Sequence, residues 1–145
     1  MATTSRAPHL ASRLRLAVAR TARRLRQEAG SGLSPTLTAA LVSIERHGPL
    51  TPSELAVRER VKRPTATRLI ATLEQEALVT RTADPADGRS SLIAVTTEGR
   101  DLLRTVRTRK DAFLAQRLRA LSPEDRETLD RAVELLERLL EDDRA

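Results

Sequence analysis

Two short stretches hold the side chains best suited to chemistry, and that chemistry is recognition of a polyanion. The first is Lys62-Arg63-Pro64-Thr65-Ala66-Thr67-Arg68. Arg can pair with guanine edges, and Thr can contact bases or thymine methyl groups. Pro64 predicts a helix start there, with Lys62 or Arg63 at the cap. Neither side chain offers an oxygen to the free N–H groups of a helix end. Both place positive charge at the positive end of the helix dipole, a cost of about 0.3–1 kcal/mol. Three other expected helices, after Ser34, Thr51 and Ser122, each open with Ser or Thr followed by Pro. A rule kept three times and broken once points to function. A phosphate at that helix end would reverse the sign, accepting from the N–H groups and from both cations. An exposed helix start, its charges screened by water, is the competing reading.

The second stretch is Asp84-Pro85-Ala86-Asp87-Gly88-Arg89-Ser90. Asp, Pro and Gly make it a turn between two β-type runs, Leu78 to Ala83 and Ser91 to Val95. The three pieces predict one hairpin. Arg89 at its tip has no folding role and can enter a minor groove. Asp87 either orients Arg89 through a salt bridge or simply forms the turn. Arg81, on the first strand, is expected at a phosphate, and Arg58 and Arg60 are expected to add only general attraction to the backbone.

These stretches need elements to position them. Leu10, Leu14, Ala17, Val18, Thr21 and Leu25 share one face of a first helix, which Gly30-Ser31-Gly32 ends. A second helix opens at Ser34-Pro35 and stops at His47-Gly48-Pro49. Thr51-Pro52-Ser53-Glu54 is a capping box for a short third helix. The fourth runs from about Pro64 to Glu76, with Leu69, Ile70 and Leu73 inward. After the hairpin, a long fifth helix starts near Thr96 or Thr97. A sixth, capped by Ser122, bears the stripe Leu129, Val133, Leu136 and Leu140. The expected divisions are a loose tail at 1–8, a dimerisation helix at 9–33, a winged helix-turn-helix at 34–96 and dimerisation helices at 97–145. The class is mainly α with a small β-hairpin wing. The apolar stripes at both ends exceed what a winged helix can bury, so they predict a homodimer interface.

Composition narrows the function. The chain has 145 residues and one aromatic residue, Phe113, which argues against stacking-based binding of single strands. It has no cysteine, so disulfides, thiolate zinc sites and thiol sensing are excluded. Residues 1–110 carry 20 basic and 10 acidic groups, whereas 111–145 carry 6 and 10. A basic body with an acidic end suits a body that faces a polyanion. No apolar run reaches the roughly 20 residues of a membrane span, and the expected location is the cytoplasm. His9 and His47 lack metal-ligand spacing, and no nucleophile motif or phosphate loop is present. Neither a catalytic residue nor a cofactor or metal is expected.

Taken together, the residues resemble the MarR family of bacterial transcriptional regulators. The resemblance rests on Glu54-Leu55-Ala56, on Pro64 to Ile70 with Leu73-Glu74, on Leu78-Val79, on Asp84 to Ser90 and on Val95-Thr96-Thr97-Glu98-Gly99-Arg100. It covers nearly the whole chain. It implies an obligate homodimer built from the first, fifth and sixth helices, the fourth helix in a major groove and the wing in a minor groove. The expected partner is double-stranded DNA at a pseudo-palindromic operator, with repression as the expected effect. A small-molecule effector bound between the dimer helices and the DNA-binding lobe is implied too. The DNA-binding set is then Lys62, Arg63, Pro64, Thr65, Thr67, Arg68, Arg81, Asp87 and Arg89. One departure is Arg60, where the family commonly has glycine. An architectural or weakly specific DNA-binding protein of the same fold is the alternative.

Overall fold

The computed structural model describes residues 6–141. Among them the order is α1 (Arg6–Ala29), α2 (Pro35–His47), α3 (Pro52–Glu59), α4 (Arg63–Gln75), β1 (Val79–Ala83), β2 (Ser91–Val95), α5 (Thr97–Arg119) and α6 (Pro123–Glu141). The mainly α class with a hairpin wing is what the periodicities predict. One boundary moves: α1 starts at Arg6, so residues 6–8 are helical and not part of a tail. Pro8 lies in the first turn, where its missing N–H breaks no helical bond, and so it does not delay the start. The rest of the expected tail, residues 1–5, lies outside the described residues, as do residues 142–145.

The helix starts follow local chemistry. Ser34 Oγ accepts from the Leu37 N–H at 3.2 Å. Thr51 and Glu54 form both arms of a capping box. Ser122 Oγ accepts from the Asp125 N–H at 3.1 Å. Each bond satisfies a donor that the helix itself cannot reach.

The core lies where α2, α3, α4, the hairpin and the first half of α5 meet. Leu41, Ile44, Leu55, Ile70, Leu73, Ile93 and Leu103 are fully buried there, and no buried polar or charged residue occurs among the described residues. β1 and β2 are antiparallel, with Val79 opposite Val95 and Ala83 opposite Ser91. Alternation sends Ile93 and Val95 inward on β2. Leu50 extends the sheet by exchanging two backbone bonds with Ile93, at 2.9 and 2.7 Å.

The wing is fastened at its base. Thr96 Oγ1 donates to the Ala77 carbonyl at 2.7 Å and caps α5 by accepting from the Gly99 N–H at 3.1 Å. Gly99 lies so close to the Leu78 carbonyl that a methyl group would collide with it. This position therefore needs glycine for space.

The outer helices pack differently. α1 lies along α5, yet Leu10, Leu16 and Val18 stay exposed. α6 has no buried residue at all among those described. Phe113 on α5 is flanked by the guanidinium groups of Arg24 and Arg117, 5.8 and 5.1 Å from its ring centre.

Candidate nucleic-acid interface

α3 and α4 form the helix-turn-helix. α3 ends in a left-handed residue, Arg60, with φ 53° and ψ 44°. Its N–H reaches the Val57 carbonyl at 3.2 Å, and the Val61 N–H reaches the Ala56 carbonyl at 3.0 Å. These are the two bonds of a Schellman ending, a site glycine usually fills. The backbone thus keeps the left-handed turn with Arg in place of glycine, at a cost of about 1 kcal/mol.

α4 then starts without a cap. Lys62 holds the cap position with no side-chain hydrogen bond to the helix, and Pro64 lies in the first turn. Lys62, Arg63, Pro64, Thr67 and Arg68 are exposed, and Thr65 is half-buried. Ala66, Ile70 and Leu73 anchor the opposite face in the core. Helical spacing therefore turns Thr65 and Arg68 outward together. An Arg68 Nη donates to Thr65 Oγ1 at 3.4 Å. Thr67 donates its hydroxyl proton to the Arg63 carbonyl at 3.0 Å, which leaves its oxygen lone pairs and methyl group outward. The Thr65 and Ala66 N–H groups are taken up by the Lys62 carbonyl at 3.0 and 3.1 Å and Pro64 has none, so the Arg63 N–H, two cations and a Thr–Arg face are what converge on this helix end.

The wing supplies the second cluster. Asp87 Oδ1 accepts from the Arg89 backbone N–H at 3.0 Å, and Asp84 Oδ1 accepts from the Ala86 N–H at 2.9 Å. Asp87 is therefore a turn former, and no salt bridge joins it to Arg89 among the described residues. Arg89 is exposed at the tip. Arg81 is not free: its Nε lies 3.3 Å from Glu74 Oε2 and one Nη donates to Ser91 Oγ at 3.2 Å. This links the end of α4 to both strands of the wing. Sequence reading did not pair Glu74 with Arg81, because the contact depends on how the chain turns at Ala77. That residue is also left-handed, with φ 58°.

Two further links escape local patterns. Arg107 of α5 meets Glu45 of α2 at 2.6 Å across 62 positions. The Ser43 hydroxyl donates to Glu59. Glu59 also borders a cleft of about 690 Å³ between the α1–α2 turn, α2 and α5. Arg26, Thr38 and Lys110 line the same cleft, and its lining holds no aromatic ring.

A buried trihelical core, an outward helix-turn-helix and a basic-tipped hairpin define a winged helix-turn-helix protein. Residues 33–91 match the model of the MarR family. An HTH-type transcriptional regulator of Mycobacterium leprae is 38% identical over 134 residues, 92% of this chain and 94% of that one. A putative transcriptional regulator of Pseudomonas aeruginosa has a solved structure 32% identical to this chain. It covers 95% of this chain and 98% of its own, with a TM-score of 0.85. The chain belongs to the MarR family and is a helix-turn-helix transcriptional regulator, not an enzyme. An S. aureus MepR mutant, bound to an oligodeoxyribonucleotide, shares the fold at 22% identity and a TM-score of 0.70, covering 90% of this chain and 97% of its own. Among the described residues no helix is long and apolar enough to cross a membrane.

Proposed function

We propose that the chain binds a pseudo-palindromic operator in double-stranded DNA as a homodimer and represses the promoter it covers. The observation that carries this reading is the start of α4, exposed, uncapped by any side chain and flanked by Lys62 and Arg63. A backbone phosphate there would accept from the Arg63 N–H and from both cations, while Thr65 and Arg68 face the base edges. Arg89 at the wing tip suits a narrow minor groove. A dimer presents two such units about one helical turn apart, which matches a two-fold operator. A bound dimer would exclude polymerase from an overlapping promoter. The oligodeoxyribonucleotide bound to the S. aureus MepR mutant, which shares this fold, supports a DNA partner.

The cleft beside Glu59 fits the reading that a small effector releases the DNA. It lies between the dimerisation helices and the DNA-binding lobe, lined by Arg26, Lys110 and Glu59. Without an aromatic ring to stack on, such an effector would be held by charge and hydrogen bonds.

Substitution at α4 separates reading from holding. Arg68→Ala should cost about 1–3 kcal/mol per good base contact and relax preference at one position of each half-site. Lys62→Ala should weaken all sequences alike and reduce the slope of log K against log salt by roughly 0.9 per protomer. The free protein should melt no lower, since a cation leaves the positive helix end. Salt titrations and melts of both variants make the test. An unchanged salt slope in the Lys62 variant would remove the phosphate from the proposal.

A further inference from the structure

The inner face of the hairpin changes character part-way along. Near the base it is apolar: Val79, Ile93 and Val95 are buried in the core. Towards the tip the burial stops, at Val79 on β1 and at Ile93 on β2. The pairing sets Val79 opposite Val95, Arg81 opposite Ile93 and Ala83 opposite Ser91. Alternation therefore keeps Arg81 and Ser91 on this inner face, one step beyond the last buried residues and diagonal to each other. Among the described residues, no side-chain hydrogen bond or ion pair other than those of Arg81 joins this outer part of the hairpin to the helices.

One guanidinium thus spans three elements. Its Nε donates to Glu74 Oε2 at 3.3 Å, in the last turn of α4, and one Nη donates to Ser91 Oγ at 3.2 Å on β2. The helix end is a firm anchor, because Ile70 and Leu73 beside Glu74 are fully buried. The far end of the hairpin is free. From Arg81 to the start of the turn at Asp84 is three residues of strand, about 10 Å. Arg89 lies beyond that, so any tilt at Arg81 is magnified at the tip. The ion pair adds little to stability, since the two side chains are 37% and 43% exposed and water screens them. An acid on the reading helix also repels a polyanion. A pair that stabilises little, and that keeps a negative charge on the reading helix, calls for another use.

We infer that Arg81 is a positioning residue: held by Glu74 and Ser91, it sets the tilt of the wing against α4, so that Arg89 and the start of α4 meet the duplex together. The inference rests on the reading that this lobe binds duplex DNA, and it gives Arg81 the task of holding the wing in place of the phosphate contact that its sequence position suggests. A wing fixed in advance gives up no freedom when Arg89 enters a groove, whereas a loose wing must be ordered at that moment. Arginine suits the task because its planar fork reaches two acceptors in different directions. A lysine carries the same charge on one nitrogen and lacks the fork. Arg89 should then act through the strut: its contribution to binding depends on Glu74 and Arg81, although neither touches DNA.

Double-mutant cycles on the full chain test this, with a duplex that the parent selects from a random-sequence pool and binding read by fluorescence anisotropy. Arg81→Lys keeps the charge and loses the fork; Glu74→Ala keeps the fork and loses its anchor. Both should melt close to the parent, because the pair is exposed. Arg89→Ala should weaken the parent more than it weakens either variant, by a factor of roughly three or greater. A role in stability alone would lower every background alike and leave that factor at one. The two variants remove different parts of the strut, so if one fails to fold the other still decides. An Arg89→Ala effect of the same size in all three backgrounds, or absent from the parent, would overturn the inference. Tighter binding by Glu74→Ala with the Arg89 effect undiminished would return Arg81 to the phosphates. A parent that selects no duplex at all would instead overturn the DNA reading beneath it.

Discussion

The DNA-binding lobe and the helical ends solve the burial problem in opposite ways. In the lobe, α2, α3, α4 and the hairpin close over one another and fully bury six large side chains, with Leu103 of α5 joining the same core. At the ends, α6 has no fully buried residue among those described and α1 leaves much of its apolar stripe in water. Apolar area left exposed on this scale marks an interaction surface. The lobe is complete as one chain; in the proposed homodimer the ends would be completed by a partner. On the proposed reading, in which two half-sites are bound, that division would let elements outside two rigid readers set their spacing.

The largest expected effects are the ones that break this contrast. Leu73→Ala in the lobe should cost about 2–5 kcal/mol, the range for a core leucine with its cavity. The loss should be the same at any protein concentration. Leu136→Asp on α6 should instead yield monomer by light scattering, since a dimer would bury an unpaired charge. Its effect should grow on dilution. Concentration-dependent loss in the Leu73 variant, or an intact dimer in the Leu136 variant, would erase the distinction between the regions.

The two regions were also legible to different degrees. Within the lobe, local signals sufficed. Ser34 and Thr51 cap the helices expected of them, and the turn at Asp84 to Ser90 joins two strands with the expected bounds to within one residue. The uncapped start of α4 was visible as a broken rule. What could not be read were contacts between distant positions. Arg81 with Glu74 depends on the left-handed turn at Ala77, and Arg107 with Glu45 spans two elements that only the fold brings together. The role of Asp87 as a turn former, not a partner of the Arg89 guanidinium, needed coordinates because both uses fit the same residues. At the ends the apolar periodicity gave away the helices, but that α6 buries none of its described residues against its own chain needed coordinates.

A second expectation sharpens the contrast from the DNA side. If the ends fix the separation of two rigid lobes, inserting about five base pairs between half-sites puts them on opposite faces of the duplex. Binding should fall to that of one half-site. Electrophoretic shift titrations on the two operators measure this. Equal affinity for both would favour the architectural reading, in which the lobes act without a fixed spacing.

The smallest expected effect concerns two residues with the same backbone and different surroundings. Arg60 and Ala77 both sit at helix ends with positive φ, 53° and 58°. Each turn carries the Schellman bonds, with Leu78 N–H to the Leu73 carbonyl at 2.9 Å in the second case. Glycine should relieve strain at either site by roughly 0.5–1 kcal/mol, less what is lost to the greater freedom of the unfolded chain. Ala77 lies just past the C-terminal end of α4, away from its Lys62–Arg68 start, and carries no charge, so Ala77→Gly should raise stability and leave DNA affinity alone. Arg60 is exposed two positions before Lys62, at the helix-turn-helix turn. Strain kept at a functional edge calls for a compensating use. Arg60→Gly should therefore stabilise the free protein but weaken DNA binding and lower the salt slope, because a cation near the backbone is gone. Thermal melts paired with salt-dependent binding of both variants decide it. If Arg60→Gly binds DNA as tightly as the parent, the arginine is strain without a function, and the two turns differ only in sequence.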